Sequence, residues 1–213
     1  MARSFSGTAQ YLSRGSAVLT AAPVTMACWA KMNNFTGTPF LGTLGQSGNT
    51  DRFEFFFETT GAASAQCVQA SSGTKATTTS TASTGAWTHV AAVFASSTSR
   101  SIYMNGGNKV TDTTSKTPSG INNTWLAASG GSSPTHLVNG TLAFFAFWNV
   151  ALSDADVLSL YNGASPRLVR PDKLVSYARL TGGQSPEPDM YSSTRWTLTG
   201  SPTEVANPLI FVP

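Results

Sequence analysis

The sequence predicts an all-β protein, an antiparallel jelly-roll β-sandwich with one short helix near residues 153–162. Two observations indicate this fold class. Charged residues are only 11% of the 213 residues, while glycine, serine and threonine abound, and this composition suits many short strands joined by tight turns. Along most of the chain, short apolar runs or alternating apolar and polar residues lie between such turns. The 40% apolar content excludes a disordered chain.

A three-stranded meander over residues 87–112 is the clearest element. It begins with a nearly continuous apolar run at 88–94, which is typical of a strand covered on both faces. Apolar and polar residues alternate at 101–104, as in a half-buried strand. The Asn105-Gly106 pair then predicts a tight hairpin, because both residues tolerate a positive φ, and 109–112 would be the returning strand.

Five further strands are predicted before the meander. Their apolar residues stand at alternate positions or in short runs, and valine, threonine and aromatic residues favour strands over helices. The fourth of them is the best defined, since Phe53, Phe55 and Phe57 share one face. The five strands cover residues 4–13, 24–32, 40–45, 52–59 and 65–70.

The remaining elements are an edge strand, two strands and the helix. Residues 71–85 are rich in Ser and Thr and predict an exposed edge strand plus a loop. Residues 124–129 predict a short strand, and 136–148, which is apolar on both faces, predicts a central one. Ser153 is the expected helix N-cap and Gly163 the helix stop, with two aspartates in the first turn.

Residues 165–213 differ from the sandwich that we predict for residues 1–164. Seven prolines separate short apolar pieces, and about fifty residues interrupted in this way are too few for a core of their own. We expect this Pro-rich C-terminal extension to pack on the sandwich or on a neighbouring subunit. Its candidate assembly residues are Leu209, Ile210 and Phe211.

Charge and hydropathy exclude several classes of partner. The net charge of +3 is small and its basic residues are scattered, so no nucleic-acid surface is expected. No apolar run approaches the roughly 18–20 residues that span a bilayer, so no membrane partner is expected. The N-terminal residues contain no apolar stretch of the signal-peptide type, which predicts synthesis in a cytoplasm.

Cys28 and Cys67 are the two cysteines of the chain. Without a secretory signal, two buried free thiols are expected, although a disulfide between them stays open. A zinc site needs four Cys or His ligands at short paired spacings, and the sequence has no such pattern.

Five segments follow one another in a specific order between residues 4 and 164. In this order they resemble laminin-G-like domains of the concanavalin A-like lectin/glucanase superfamily. The resemblance implies the sandwich fold but no single activity, since the fold hosts lectins, adhesion modules, pentraxin-like proteins and glucanases. The segments are Phe5-Ser6-Gly7-Thr8, Val24 to Trp29, Trp87-Thr88-His89-Val90-Ala91, Ile102-Tyr103-Met104-Asn105-Gly106, and Asn139 to Ser153.

The resemblance to glucanases raises an enzymatic hypothesis. Retaining glucanases of this superfamily carry a Glu-x-Asp-x-x-Glu motif on one strand, and their two catalytic carboxylates lie about 5 Å apart. Glu54 and Glu58 share a face here, but the central Asp is missing, and four residues along a strand span about 13 Å. Two solvated glutamates are therefore expected and no catalytic residue is assigned. His89 lies in an apolar strand and is expected to be structural.

The resemblance to lectins implies a sugar site in loops rich in Asn, Asp and Gly. Ordinary turns use the same residue types, so both interpretations stay open. Many laminin-G-like domains hold calcium, but Asp51 with Asn49 is the best oxygen pair and no ligand set follows, so no metal or other cofactor is expected. The candidate glycan-binding residues are Asn49, Asp51, Arg52, Asn105, Asn108, Asn122 and Asn123.

We therefore expect a non-catalytic binding and assembly module. The tail from Arg170 to Ile210 is similar to C-terminal extensions of laminin-G-like proteins encoded in phage genomes. This similarity favours a virion surface protein, a capsid decoration or cement protein whose partners are the major capsid protein and further copies of itself. The alternative is a carbohydrate-binding, lectin-like adhesion module that binds a cell-surface glycan. A glycoside hydrolase ranks third.

Overall fold

Two eight-stranded antiparallel sheets face each other, which confirms the predicted jelly-roll sandwich. The computed structural model describes residues 1–181 and 183–208. The candidate assembly residues Leu209, Ile210 and Phe211 lie outside the described residues.

The described residues form sixteen strands, one α-helix and one 3-10 turn. The strands are β1 (Ala2–Ser6), β2 (Tyr11–Arg14), β3 (Val24–Met32), β4 (Phe40–Gly45), β5 (Arg52–Phe57), β6 (Ala62–Gln69), β7 (Ser72–Thr81), β8 (Trp87–Ser96), β9 (Ser99–Met104), β10 (Gly107–Asp112), β11 (Asn123–Leu126), β12 (Asn139–Trp148), β13 (Leu174–Ala178), β14 (Glu187–Pro188), β15 (Arg195–Thr199) and β16 (Thr203–Val205). The helix is α1 (Asp154–Tyr161) and the 3-10 turn is Pro166–Leu168.

Sheet I has the strand order β10-β9-β8-β3-β12-β1-β16, and β13 also pairs with β12. Sheet II has the order β14-β15-β2-β11-β4-β5-β6-β7. The predicted meander is confirmed as β8, β9 and β10, and the predicted edge strand is β7. Successive strands of the sequence lie in different sheets at several points, as a jelly roll requires.

Alternate residues of the strands fill the core between the two sheets. Phe53, Phe55 and Phe57 on β5 are all buried there, as their spacing predicts. Phe55 meets Phe145 of sheet I edge-on, with ring centroids 5.5 Å apart. Each fully buried phenylalanine contributes roughly 1.5–3 kcal/mol to the free energy of unfolding, so this face of β5 helps hold the sheets together.

The predicted strand over residues 4–13 is in fact two strands in different sheets. β1 belongs to sheet I and β2 to sheet II, and the chain crosses between them at Gly7. Gly7 has φ +79°, and a Cβ there would lie 2.9 Å from the Cβ of Asn139. A glycine is therefore needed both for the left-handed backbone and for the close approach.

The helix α1 covers the outer face of sheet I. Ser153 is its N-cap as predicted, and it forms a capping box with Asp156. Val157 and Leu160 are buried in a second apolar cluster on this face. Trp148 lies in the same cluster and its Nε1 donates to the carbonyl of Val169 at 2.8 Å, so the segment after the helix is also fixed to the sheet.

Residues after 164 add strands to both sheets at one side of the sandwich. β13 pairs with β12 and β16 with β1, whereas β15 pairs with β2. Trp196 of β15 is fully buried in the central core and stacks on Phe147 with centroids 6.0 Å apart. Arg3 of β1 forms a buried ion pair with Glu187 of β14. The C-terminal strands thus share the core of the preceding residues.

Cys28 lies on β3 in sheet I and Cys67 on β6 in sheet II, and both are buried free thiols. Burial raises the pKa of Cys67 to about 11.

In the part of the chain that the structure describes, no helix combines the length and the apolar character needed to cross a membrane.

Candidate functional site

The turn between β4 and β5 gathers most of the predicted glycan-binding residues at one end of sheet II. Asn123 on β11 and Arg52 on β5 both pair in register with Gly45 on β4, one from each side. Asn122 immediately precedes β11, and Asn49 lies in the turn itself. We call this group the β4–β5 cluster; its members are Ser47, Asn49, Arg52, Asn122 and Asn123.

Hydrogen bonds within the cluster orient two of its amide side chains. The Nδ2 of Asn123 donates to the Oγ of Ser47 at 2.9 Å and to the Oδ1 of Asn122 at 2.6 Å. The backbone N–H of Asn122 donates to the carbonyl of Gly45 at 3.1 Å. Ser47 and Asn122 are exposed, so the cluster presents amide and hydroxyl groups to solvent.

Gly45 separates Asn123 from Arg52 across the sheet and is itself buried. Neighbouring strands lie about 4.8 Å apart, which puts the backbones of Asn123 and Arg52 roughly 10 Å from each other. A Cβ at Gly45 would lie 3.3 Å from the Cβ of Arg52 and 3.5 Å from the ring of Trp125. The side chains of Arg52 and Trp125 therefore pack against Gly45 and fill the space that a larger residue would need.

Two acceptors fix the guanidinium of Arg52. Its Nε donates to the Oε2 of Glu54 at 2.7 Å, and its Nη1 donates to the backbone carbonyl of Asn49. Within the described residues, its Nη2 has no hydrogen-bond partner, and the side chain is 20% exposed. Arg52 therefore keeps one pair of N–H donors available for a ligand.

Glu54 is fully buried, so the predicted solvated glutamate is wrong at this position. Its register neighbours on the same face are Thr43 and Gln66. The burial arises because the segment 127–131 folds back over this face: Thr43 Oγ1 donates to the Ala128 carbonyl at 3.2 Å. Burial raises the pKa of Glu54 to about 7, although Arg52 acts to lower it. The Oε1 of Glu54 has no partner in the described part of the chain.

Asp51, a predicted glycan-binding residue, instead joins two loops through hydrogen bonds. Its Oδ1 accepts the backbone N–H of Ala70 at 2.9 Å, and its Oδ2 accepts that of Ser119 at 2.9 Å. These hydrogen bonds hold the pKa of Asp51 below its usual range, despite the opposing effect of its burial. The carboxylate is therefore occupied in joining the β6–β7 turn to the loop before β11.

Asn105 and Asn108 lie apart from the cluster, in the β9–β10 hairpin of sheet I. Both have positive φ, at +52°, as the hairpin prediction requires. The Oδ1 of Asn105 accepts the backbone N–H of His89 at 3.0 Å. Asn108 bonds to Ser80 on β7 and so ties the edges of the two sheets. The structure places these two residues in turn and edge contacts.

Sequence comparison agrees with this architecture. A family model of laminin G type, described as the concanavalin A-like lectin/glucanases superfamily, matches residues 6–158. The chain belongs to this superfamily. Comparison with curated protein sequences gave no match.

Solved structures of the superfamily share the fold at low sequence identity. A heptameric SAP-like pentraxin from Limulus polyphemus is 17% identical, with a TM-score of 0.61 over 75% of this chain and 81% of that chain. A proposed carbohydrate-binding protein from Bacteroides ovatus is 17% identical, with a TM-score of 0.65 over 96% and 61%. The CBM40 domain of the Ruminococcus gnavus IT-sialidase, bound to α2,3-sialyllactose, is 13% identical, with a TM-score of 0.58 over 74% and 97%.

These comparisons confirm the predicted resemblance to laminin-G-like domains. They give no support to a phage origin or a virion role, and at such identities the likeness establishes the fold alone.

Glu54 on β5 and Glu58 just after it lack the arrangement that the resemblance to glucanases implies. Glu58 is four residues from Glu54, which corresponds to about 13 Å along a strand. The Oε1 of Glu58 accepts the Oγ of Ser64 at 2.6 Å and lies 2.6 Å from the Nζ of Lys75. Hydrolysis of a glycosidic bond needs two carboxylates about 5–10 Å apart across the bond, so this pair is too widely spaced.

His89 is buried beneath Tyr161, with Trp29 beside it in a neighbouring strand. Desolvation lowers its pKa to about 3, so the ring is neutral at physiological pH.

Within residues 1–181 and 183–208, no three His, Cys, Asp or Glu side chains are grouped so as to hold a metal. The absence of a metal or other cofactor stays a prediction.

Sequence reasoning missed two features of the site. Ser47 and Gly45 are not among the candidate residues predicted from the sequence, although both form hydrogen bonds with members of the cluster. The alternation of Asn123 with Trp125 on β11 carries a usable signal, because it puts both residues on one face. The burial of Glu54 had no local signal, since the segment that covers this face is more than seventy residues away in sequence.

Proposed function

We propose that this protein is a non-catalytic carbohydrate-binding module that binds an oligosaccharide at the β4–β5 cluster. One observation carries the proposal: four of the seven residues selected from sequence, Asn49, Arg52, Asn122 and Asn123, meet at one partly exposed end of sheet II. They come from two separate parts of the chain, so local turn chemistry alone does not explain their convergence.

The chemistry of the cluster suits sugar hydroxyls. Asparagine amides offer both donors and acceptors, the Ser47 hydroxyl offers the same, and Arg52 offers donors. Hydroxyl groups on adjacent sugar carbons present donors and acceptors side by side. The partners already present hold the side chains of Asn123 and Arg52 in place before a ligand arrives.

Similar folds in carbohydrate-binding proteins support the proposal. The Bacteroides ovatus and Ruminococcus gnavus structures are named for carbohydrate binding, and the latter contains a bound sialyl sugar. Fold likeness alone leaves the ligand open. The convergence of polar side chains therefore has to identify the site.

The positions of the carboxylates support a non-catalytic role. Glu54 has the raised pKa that a general acid needs, but a second carboxylate at catalytic spacing on its face would be required. Glu58, just past the end of β5, is too far from Glu54 and is engaged by Lys75 and Ser64. We therefore assign binding without hydrolysis.

The virion hypothesis ranks second. It depends on the similarity of residues 170–210 to extensions of phage-encoded proteins, and its candidate assembly residues Leu209, Ile210 and Phe211 lie outside the described residues. The comparisons favour carbohydrate binding over assembly on a capsid. We accordingly place the carbohydrate-binding module first.

A glycan array followed by calorimetric titration tests the proposal. The wild-type chain should bind at least one oligosaccharide, and Asn123→Ala should weaken that binding at least tenfold. Asn33→Ala is the matched control, because this exposed asparagine donates to Asn139 outside the cluster. Absence of any bound glycan, or equal losses in both variants, would contradict the proposal.

A further inference from the structure

We infer that the preferred ligand is an acidic glycan, one that carries a carboxylate or sulfate group, and that Arg52 binds this group. The inference rests on the proposed function and names its ligand class. It is carried by the way in which Arg52 is fixed and by the donors that it keeps available.

The guanidinium of Arg52 is oriented before any ligand binds. Glu54 accepts from Nε and the Asn49 carbonyl accepts from Nη1, so the planar group has little rotational freedom. Among the described residues the Nη2 donors have no partner, and the side chain is 20% exposed. The N–H groups of Nη2 can donate to an oxygen of a carboxylate or sulfate, and such charge-assisted hydrogen bonds are about twice as strong as neutral ones.

Apart from Glu54, the neighbours of Arg52 do not oppose an anion. Asp51 directs its carboxylate to Ala70 and Ser119. Asn123 and Ser47, on the other side of Gly45, are neutral. Their polar groups can accept or donate to sugar hydroxyls while Arg52 holds the acidic group, so one ligand can satisfy both sides.

Glu54 is the one acid that contacts Arg52 in the described structure, and its charge should respond to the ligand. Its neighbours Thr43 on β4 and Gln66 on β6 are neutral, as is the segment 127–131 over this face. On the opposite face, Cys67 is a thiol with a raised pKa. Farther along the same face, Lys75 is paired with Glu58.

A bound anion beside Arg52 disfavours the ionised form of Glu54, because two negative charges would then share one cation in a buried setting. The pKa of Glu54 is already about 7 as a result of burial, so a proton is readily taken up near neutral pH. Protonation leaves the positive charge of Arg52 uncompensated. Binding of an acidic glycan should therefore strengthen as the pH falls from 8 to 6, with net uptake of protons.

Paired ligands test the inference without relying on a variant. The wild-type chain is titrated with 3′-sialyllactose and lactose, with tri-galacturonate and its methyl ester, and with a sulfated disaccharide and its unsulfated form. At least one acidic member should bind tenfold or more tightly than its neutral counterpart. The carboxylate and sulfate arms show which anion is preferred.

Two variants then test the role of Arg52 and Glu54. Arg52→Gln should abolish the preference for the acidic member, while Glu54→Gln, which keeps an acceptor for Arg52, should bind it with no dependence on pH between 6 and 8. Thermal melts show whether each variant is folded, and Asn33→Ala should behave as wild type.

The outcomes separate the inference from the proposed function. Equal affinity for acidic and neutral members, or an acid preference that survives in a folded Arg52→Gln chain, would overturn the inference and leave carbohydrate binding standing. A chain that binds neither kind of glycan would overturn both. The inference is supported if the wild-type chain prefers acidic glycans and binds them more weakly as the pH rises, and if neither variant shows both properties.

Discussion

Glu54 shows how far sequence reasoning reaches at the scale of one residue. Its alternation with Phe53 and Phe55 correctly puts it on the outer face of β5. The expectation of a solvated side chain is wrong, because the burial depends on the distant segment 127–131 and on the partner strands β4 and β6. Residue spacing predicts the face of a strand, whereas only the tertiary structure determines what covers it.

Replacing Glu54 should change how stability depends on pH. Its pKa rises from 4.5 to about 7 on folding, so the folded chain binds more protons than the unfolded chain between these values. The contribution of Glu54 to the free energy of unfolding is therefore fully present below pH 4.5. About 3 kcal/mol of it is lost as the pH rises through 7. His89 acts in the opposite sense, because its pKa falls to about 3.

The Glu54→Gln chain lacks the Glu54 contribution and keeps that of His89. Urea titration gives the free energy of unfolding of this variant and of wild type at each pH. The variant's value minus the wild-type value should be about 2–3 kcal/mol greater at pH 8 than at pH 5. A difference that is the same at both pH values would contradict the assignment of a buried, weakly acidic Glu54.

Gly140 tests close backbone packing at a single position. A Cβ there would lie 2.5 Å from the carbonyl oxygen of Lys31 and 2.9 Å from the Cα of Met32. Backbone atoms of β3 cannot move aside as a flexible side chain can, so Gly140→Ala should lower the free energy of unfolding by about 3 kcal/mol. Gly15→Ala, with no atom within 4 Å of the new Cβ, is the control and should have little effect.

At the scale of elements, patterns of sequence were most informative where the structure is regular. The Asn105-Gly106 hairpin and the helix that begins after Ser153 were both predicted, because each depends on residues within a few positions. The division of residues 4–13 between two sheets was not predicted. An apolar pattern shows that residues are extended, but the sheet that each strand joins depends on partners far away in sequence.

The cap of α1 gives a prediction at this scale. The Ser153 Oγ accepts the N–H of Asp156 at 3.2 Å, so Ser153→Ala leaves a helix donor without its partner. The free energy of unfolding should fall by about 1 kcal/mol, which lowers the Tm by about 2–4 °C. Ser159→Ala in the middle of the same helix serves as the control, and its Tm should stay equal or rise slightly because alanine favours helices. Equal losses in the two variants would contradict the cap.

At the scale of the whole molecule, the C-terminal residues complete the sandwich. The sequence predicts an extension that packs on something, because its short pieces are interrupted by proline. It cannot show that β15 and β16 join different sheets, since their partners β2 and β1 lie nearly two hundred residues earlier. Likewise, the two halves of the β4–β5 cluster meet only once β11 pairs with β4.

Trp196 tests whether these strands belong to the folding unit. It is fully buried and stacks on Phe147 of sheet I, so Trp196→Ala should lower the free energy of unfolding by about 3–5 kcal/mol. Leu168→Ala, at a side chain that is 63% exposed, should change it by less than about 0.5 kcal/mol. If the Trp196 variant unfolds at the same urea concentration as wild type, the C-terminal strands contribute little to the core.

Backbone amide chemical shifts, recorded while the wild-type chain is titrated with its bound oligosaccharide, test the central claim most directly. The largest changes should map to residues 45–52 and 122–125, which contain the β4–β5 cluster. Changes centred on the outer face of sheet I, near Trp29, Trp87 and Asn105, or no changes at all, would contradict the account.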